Sequence, residues 1–343
     1  MTPDPRRGVP ARPSAQTLGV LMVVVSACGF GSGGLFVQPL YAQGMDPQVV
    51  LYWRFLTAAL LAWVFVLAGR GGLASLRSLP RRRVAVLGLL GAIYVGNSFG
   101  FYASLQVVPI SLSSIITYIY PALVAVMATR LVRRLEGRRA WLALGISLAG
   151  VALALGGVPE GALPPAWGLA LAFASPIIYA IWIVLQARVA GDRPLRRADA
   201  IALPPADAQP PIQIPDPLPA TAIMTTATAV VFAGLVLVTG GSVSPVDVPG
   251  DAWLPLLAIG LVAGAIAMAA FYAGVRRIGA ARAALISTVE PVYTISMAML
   301  LFGERLTGVQ LIGGALVIGA VVLAETGRRE PREWPTVADA ETR

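Results

Sequence analysis

The chain has 343 residues, of which 57% are hydrophobic and 13% are charged, and its mean hydropathy is +0.76. This composition excludes a soluble globular domain and predicts an integral membrane protein. The net charge of +9 comes from arginine, because the chain has no lysine, and arginines between apolar segments indicate membrane topology rather than nucleic-acid binding.

Ten apolar segments of roughly 20 residues follow one another, each long enough to cross about 30 Å of hydrocarbon as a helix. The predicted spans are 17–37, 49–68, 84–105, 109–131, 140–156, 165–187, 221–239, 253–275, 280–302 and 309–325. Polar tails are predicted at 1–16 and 326–343. The proline-rich segment 191–219 predicts an extended loop in which a docking motif is the less favoured alternative. The predicted fold class is therefore all-α, with ten transmembrane helices.

The two halves of the chain carry similar motifs. Phe101-Tyr102-Ala103 aligns with Phe271-Tyr272-Ala273, and Pro121 falls on Pro291 at the same offset. Each half contains five spans, which predicts one repeat at 17–157 and a second at 164–325. Because five is an odd number, the second repeat begins on the opposite side of the membrane and is inverted relative to the first.

Arginines concentrate in alternate loops, and this bias is opposite in the two halves. The loop at 130–139 is rich in arginine, whereas its counterpart in the second repeat has only Glu304 and Arg305. Arginine-rich loops stay on the cytoplasmic side, so we expect a multi-pass protein of the cell membrane with both termini in the cytoplasm. Inverted repeats of this kind are typical of secondary transporters.

Glu290 is the one acidic residue deep in a predicted span, about 15 Å along the ninth helix and near the membrane midplane. A carboxylate there costs at least about 2.5 kcal/mol on insertion scales, so it must face a cavity, find a partner or be protonated. Ser287 and Thr294 share its helix face. We predict that Glu290 binds a substrate ammonium group or a proton, with a structural hydrogen bond as the alternative.

Two prolines occupy equivalent positions near mid-depth. Pro121 and Pro291 each remove a backbone hydrogen bond and predict a break in the fourth and ninth helices. Inverted-repeat transporters place substrate sites at such breaks. A packing kink is the alternative for each proline.

Further polar and aromatic residues are predicted to line the same cavity: Asn97, Tyr102, Thr117, Tyr179 and Trp182. For Asn97 the alternative is a bond to a neighbouring helix, and for the aromatic residues it is packing or interfacial anchoring. Arg54 lies roughly 8 Å inside the second span, where snorkelling to the interface is favoured slightly over contact with substrate.

Other chemistries are opposed by what the sequence lacks. There is no histidine and only one cysteine, so histidine-based or thiolate metal sites are not expected. Without lysine there is no Gly-x-x-x-x-Gly-Lys motif for ATP, and no aspartate lies within a predicted span. Val25-Ser26-Ala27-Cys28 is similar to a lipoprotein cleavage site, a less favoured alternative that would remove the first helix. We expect no metal, no cofactor and no enzymatic activity.

The most specific motifs lie near the C-terminus: Glu290-Pro291, Leu301-Phe302-Gly303-Glu304-Arg305-Leu306-Thr307 and Gln310-Leu311-Ile312-Gly313-Gly314-Ala315-Leu316. They resemble the EamA type of the drug/metabolite transporter superfamily, and the similarity extends over residues 17–324. The first repeat carries a weaker version at Glu136-Gly137, and its glycine-rich stretch 29–34 lacks the usual tryptophan. The resemblance implies two inverted five-helix halves, a central cavity lined by both, and export or exchange of small metabolites such as amino acids.

These observations predict a secondary-active transporter that works by alternating access. Its expected partners are a small-molecule substrate and the lipid bilayer, with no nucleic acid. Coupling to protons and assembly into a homodimer are left open. A membrane sensor or scaffold that docks a partner through residues 191–219 is the alternative from another functional class.

Overall fold

The computed structural model describes residues 15–69, 72–131, 137–158, 163–190, 217–278 and 286–326. Most of the predicted tails and of the 191–219 loop lies outside these residues. Among the described residues, six helices are long and apolar enough to cross a membrane, and four shorter apolar helices accompany them. The prediction of an all-α membrane protein with ten spans is confirmed.

The helices are named in chain order. They are α1 (Ala15–Gly31), α2 (Gly33–Ala42), α3 (Pro47–Ala68), α4 (Gly72–Arg77), α5 (Arg81–Ser104), α6 (Ile110–Thr117), α7 (Tyr120–Leu131), α8 (Gly137–Gly156), α9 (Ala166–Ala190), α10 (Pro217–Val238), α11 (Trp253–Ala258), α12 (Ala267–Ile278), α13 (Val289–Phe302) and α14 (Gly308–Thr326). A π-helical segment, Ile259–Ile266, joins α11 to α12 and makes them one continuous span.

The fourth and ninth spans are interrupted at equivalent places. In the fourth, α6 ends at Thr117, residues 118–119 form a turn and α7 begins at Tyr120. In the ninth, residues 286–287 are helical, Thr288 is a turn and α13 begins at Val289. Each proline therefore lies in the first turn of the outgoing helix, where its missing N–H breaks no helical hydrogen bond.

The helices of the two predicted repeats pack in a pattern that is unchanged when the repeats are exchanged. The first span packs on the eighth through α1 and α12, and the equivalent pair, the third and sixth spans, packs through α5 and α9. Three further pairs join each span to its own counterpart: α3 with α10, α6 with α13 and α8 with α14. Such a pattern relates the two halves by a pseudo-two-fold axis.

Equivalent helices run in opposite directions. Gln48 Nε2 donates to Thr239 Oγ1 at 3.4 Å, and Trp63 Nε1 donates to Thr226 Oγ1 at 2.9 Å. These bonds pair the start of α3 with the end of α10, and the later part of α3 with the earlier part of α10. The second and seventh spans are therefore antiparallel, which is the arrangement that an inverted repeat requires.

Small residues let the backbones of neighbouring spans approach closely. A Cβ atom at Gly260 would lie 2.7 Å from Thr57 Cβ, and one at Gly100 would lie 2.9 Å from the carbonyl oxygen of Leu171. Close packing of this kind drives helix association in lipid, where burial of apolar surface brings no gain over the lipid tails. The Gly-x-x-x-Gly pairs that contain these residues serve as packing surfaces.

Apolar side chains lie on the outer surface and polar ones in the interior, as expected for a helix bundle in lipid. Large apolar side chains are exposed on the outer faces, for example Leu60, Val230 and Leu300. Polar side chains such as Asn97 and Ser175 are buried. The polar interior marks the place where a functional site can lie.

Candidate functional site

A cavity with two lobes lies in the middle of the bundle. The larger lobe has a volume of about 450 Å³ and the smaller one about 160 Å³. Seven residues border both lobes: Phe30, Arg54, Tyr94, Tyr118, Tyr120, Tyr179 and Glu290. These residues come from both repeats, so the cavity lies between the two halves. Its total size is in the range of small-molecule sites.

All nine side chains that the sequence predicts for substrate or ion binding border this cavity. Arg54, Tyr179 and Glu290 border both lobes; Trp182 and Ser287 border the larger lobe; Asn97, Tyr102, Thr117 and Thr294 border the smaller one. Of the two prolines, Pro121 borders the larger lobe, whereas Pro291 is buried in packing. Placement at one cavity is a structural fact, and binding by these residues stays a prediction.

Glu290 lies where the two interrupted helices meet. The hydroxyl of Tyr118, in the break of the fourth span, lies 3.5 Å from the carbonyl oxygen of Ser287 and contacts the Glu290 carboxylate. Glu290 occupies the first turn of α13, where unpaired backbone N–H groups and the helix dipole favour a negative charge. The helix start and one tyrosine thus hold the carboxylate at the cavity wall.

Thr294 ties the first turn of α13 to the first span. Its hydroxyl lies 3.0 Å from the carbonyl oxygen of Glu290 and 3.2 Å from that of Gly31. A neighbouring bond joins Tyr293 Oη and Ser32 Oγ at 2.9 Å, and Ser32 Oγ donates to the carbonyl oxygen of Cys28 at 2.8 Å. These bonds position Glu290 relative to the point where α1 passes into α2.

Arg54 faces the cavity, which contradicts the favoured prediction that it snorkels to the membrane interface. The residue is only 9% exposed. Its guanidinium carbon lies 4.5 Å from the centroid of the Tyr102 ring and 5.1 Å from that of Phe55. The physical reason is that these aromatic faces offer the cation a partner inside the bundle, so it need not reach the surface.

The ring under Arg54 is itself held in place. Tyr41 Oη donates to the carbonyl oxygen of Tyr102 at 2.7 Å. A Cβ atom at Gly33 would collide with the Tyr102 hydroxyl, so glycine at this position makes room for the tyrosine. Tyr102 therefore lines the smaller lobe and also positions the arginine.

Asn97 and Thr117 differ in how their polar atoms are satisfied. Ser175 Oγ donates to Asn97 Oδ1 at 2.9 Å, so Asn97 makes the predicted interhelical bond while it also borders the smaller lobe. Thr117 Oγ1 is buried and has no hydrogen-bond partner among the described residues. The residue itself borders the smaller lobe.

Aromatic rings form one wall of the cavity. The ring centroids of Tyr120 and Tyr179 are 4.8 Å apart, those of Tyr94 and Trp182 are 4.9 Å apart, and Tyr179 stacks on Trp182 at 5.8 Å. Trp182 Nε1 donates to the carbonyl oxygen of Leu90 at 2.9 Å, which fixes the indole. Packing and cavity lining, treated as alternatives in the sequence, coincide in these residues.

Several residues that line the cavity were not predicted from the sequence. Phe30 borders both lobes, and Thr225 borders the larger one. Phe30 precedes the junction of α1 and α2, and the glycine-rich stretch 29–34 is a signal that could have identified it. Thr225 has no such signal, because its position in an apolar helix does not show which neighbour it faces.

Residues 17–156 and 214–326 match the EamA-like transporter family. The chain belongs to this family. The resemblance found in the sequence is thus confirmed, and the EamA-like chain is a multi-pass membrane transporter. Among its described residues no group of three or more histidine, cysteine or acidic side chains is placed to hold a metal ion.

The chain is similar to relatives that are named as transporters. YedA of Escherichia coli strain K12, named an uncharacterized inner membrane transporter, is 25% identical over 313 residues, which cover 89% of this EamA-like chain and 91% of YedA. The uncharacterized transporter sll1319 of Synechocystis sp. is 28% identical over 242 residues, which cover 67% of this chain and 63% of that relative.

A solved crystal structure supports the fold. It aligns over 93% of this EamA-like chain and 100% of its own chain, with a TM-score of 0.57 and 20% sequence identity. At that level of identity the likeness concerns the fold alone.

Proposed function

We propose that this EamA-like protein is a secondary-active transporter that exports or exchanges small metabolites, such as amino acids, by alternating access. The observation that carries the proposal is the cavity between the repeats, bordered at mid-depth by Glu290 and by the equivalent break in the fourth span. A site between inverted repeats can be exposed to either side when one half rocks against the other. The protein would itself catalyse no chemical reaction.

Contacts at one end of the bundle support this mechanism. Glu304 accepts hydrogen bonds from the backbone N–H groups of Ile110 and Ser111, at 2.8 and 3.0 Å. Thr307 Oγ1 donates to the carbonyl oxygen of Gly157 at 3.0 Å. Both sets of bonds join the first repeat to the second, so access from this end requires them to open.

The cavity extends toward the opposite end. Its larger lobe is bordered by Phe65 near the end of α3 and by Thr221 near the start of α10. That is the end where α1 begins and α14 ends. The arginine bias of the loops favours the cytoplasm for this side, and we propose that both termini lie there.

Transport in reconstituted vesicles tests the mechanism. Purified protein would be placed in liposomes loaded with labelled amino acids, nucleosides or sugars, without ATP. We expect saturable efflux of at least one of these compounds, accelerated when the same unlabelled compound is present outside. Efflux that does not saturate would indicate a channel, and no efflux of any compound would contradict the proposal.

Cysteine labelling tests the orientation. After Cys28→Ser, single cysteines would be introduced as Asp247→Cys and Arg138→Cys, both at exposed positions. We expect a membrane-impermeant thiol reagent applied to intact cells to label only the Asp247→Cys variant. The opposite labelling pattern would reverse the proposed topology.

A further inference from the structure

Two opposite charges face the cavity without neutralising each other. Arg54 and Glu290 both border both lobes, and they are the only charged side chains among the described residues that line it. No ion pair joins these two side chains, both of which belong to the described residues. One charge comes from the first repeat and the other from the second.

Arg54 has free hydrogen-bonding capacity. A guanidinium carries five N–H donors in a planar fork that matches a carboxylate or another oxyanion. The guanidinium of Arg54 lies over the faces of Tyr102 and Phe55, and aromatic faces attract the charge without occupying the N–H donors. The side chain is therefore oriented while its donors remain available to a molecule in the cavity.

Glu290 offers the complementary half of such a site. Its carboxylate contacts Tyr118, and Tyr94, Tyr120 and Tyr179 border the same two lobes. A carboxylate supplies hydrogen-bond acceptors and a negative charge, and nearby aromatic faces also attract cations. The surroundings of Glu290 thus favour an ammonium group.

The pairing of these sites restricts what can enter. A cation without an anionic group would leave Arg54 unpaired, and an anion without a cationic group would do the same for Glu290. Leaving a buried charge unpaired is costly. A molecule without charged groups pairs with neither Arg54 nor Glu290. A molecule with one charge of each sign satisfies both.

On this basis, and resting on the proposed transport function, we propose that the cavity recognises a zwitterion. The anionic group binds Arg54, the ammonium group binds Glu290, and the apolar part lies against the wall formed by Tyr94, Tyr179 and Trp182. Arg54, which was expected at the interface, is in this proposal the residue that selects substrates with an anionic group.

Binding to the full chain in lipid nanodiscs tests this directly, with calorimetry as the readout. The probes are phenylalanine, phenethylamine without the carboxylate, 3-phenylpropionate without the ammonium, and 4-aminobutyrate, whose charges are farther apart. We expect a zwitterion to bind at least about tenfold more tightly than both singly charged probes. Preference for phenylalanine or 4-aminobutyrate then shows the separation of charges that the site accepts.

Two variants that each remove one charge show which end of the ligand binds to Arg54 and which to Glu290. In Arg54→Gln we expect affinity for the zwitterion to fall by about tenfold or more while phenethylamine binds unchanged or more tightly. In Glu290→Gln the same loss is expected for the zwitterion, while 3-phenylpropionate binds unchanged or more tightly. Arg54→Lys keeps the charge and should retain part of the affinity. Asp247→Asn, an exposed substitution far from the cavity, is the matched control.

The outcomes separate this inference from the proposed function. If a singly charged probe binds as tightly as the zwitterions, or if no zwitterion binds, the inference is wrong. An equal loss of affinity for all probes in Arg54→Gln, with thermal unfolding unchanged, also contradicts the inference. Saturable flux of an uncharged or singly charged compound in the vesicle assay would leave the transport function standing while this inference fails.

Discussion

The interrupted helices of the fourth and ninth spans have the same architecture but different chemistry. Both contain a turn within the predicted span, followed by an outgoing helix with proline in its first turn. The residue before the proline is Tyr120 in one and Glu290 in the other. Each repeat therefore contains one break in a helix. A single difference in sequence between the repeats places a charge at only one of the two breaks.

This difference shows how a symmetric fold can hold an asymmetric site. Symmetry serves the packing of equivalent helices, and in the proposed mechanism it also lets each half adopt the shape of the other. Binding a particular molecule requires unlike groups, and here the Glu290 side chain of the second repeat borders the same cavity as Arg54 of the first. Substitutions at the two breaks and at the helix contacts test whether the chemistry of the site and the architecture of the fold are separate.

The largest effect is expected for Glu290→Gln. Removal of the charge should lower the flux of an ammonium-bearing substrate by roughly 100-fold, because a hydrogen-bonded buried charge is lost from the site. Flux in proteoliposomes measures it. If protons are coupled to transport, the variant should also lose the pH dependence of flux, because glutamine cannot take up a proton. Pro121 and the fourth span are untouched, so the fold should persist.

The matched control is the equivalent position in the first repeat. Tyr120→Phe keeps the ring of the aromatic wall and adds or removes no charge at neutral pH, so we expect flux to stay within about threefold of wild type. Flux in Glu290→Gln that equals wild type, with the same pH dependence, would reject the role of the carboxylate. Loss of flux in both variants would indicate that transport depends on the geometry of the two helix breaks and not on the charge of Glu290.

The comparison also shows what the sequence could and could not predict. The ten spans, the paired breaks and the charge at Glu290 follow from local composition, because apolar length, proline and an intramembrane carboxylate each carry a strong local signal. The burial of Arg54 does not, since its orientation depends on the ring of Tyr102 in another helix. Snorkelling was a reasonable expectation for an isolated helix and was wrong for a packed one.

Glu304 was named from the sequence only as part of a loop with a single arginine and of a motif near the C-terminus. The structure gives its carboxylate two backbone N–H partners at the start of α6. Its counterpart in the Glu-Gly motif of the first repeat, Glu136, lies outside the described residues. Which helix such a carboxylate caps depends on the packing of the halves, and no local pattern in the sequence shows this.

Packing between equivalent helices predicts the next effect. A Cβ atom at Gly313 would lie 2.7 Å from the backbone nitrogen of Ala154 and would also meet the carbonyl oxygen of Gly150. Gly313→Ala should therefore force α8 and α14 apart and cost about 1–3 kcal/mol of stability. Thermal unfolding in detergent measures it. Gly319→Ala on the same helix meets no atom within 4 Å and should be neutral or slightly stabilising; equal loss in both would contradict the packing argument.

A smaller effect is expected at the end of the bundle where Glu304 joins the second repeat to the first. Glu304→Gln replaces charge-assisted bonds to Ile110 and Ser111 with weaker neutral ones and removes a negative charge from the start of α6. The cost is about 1–2 kcal/mol, borne by the conformation closed at this end. A cysteine introduced as Ser114→Cys should react roughly ten times faster in Glu304→Gln than in the protein that keeps Glu304, when an impermeant thiol reagent is applied from this side. Arg305→Gln, an exposed neighbour, is the control, and an unchanged rate in Glu304→Gln would show that this carboxylate does not hold the end closed.

The smallest effect concerns the link between the two breaks. Tyr118→Phe removes the hydroxyl that contacts Glu290 and lies near the carbonyl oxygen of Ser287, but it keeps the ring. A single hydrogen bond contributes about 1 kcal/mol, so substrate affinity should fall roughly fivefold while the maximal flux stays near wild type. In a Glu290→Gln background the same change should have less effect, because a hydrogen bond to a neutral amide is weaker than one to a carboxylate. Equal effects in both backgrounds would mean that Tyr118 acts on the cavity independently of Glu290. The break in the first repeat would then not influence the carboxylate of the second.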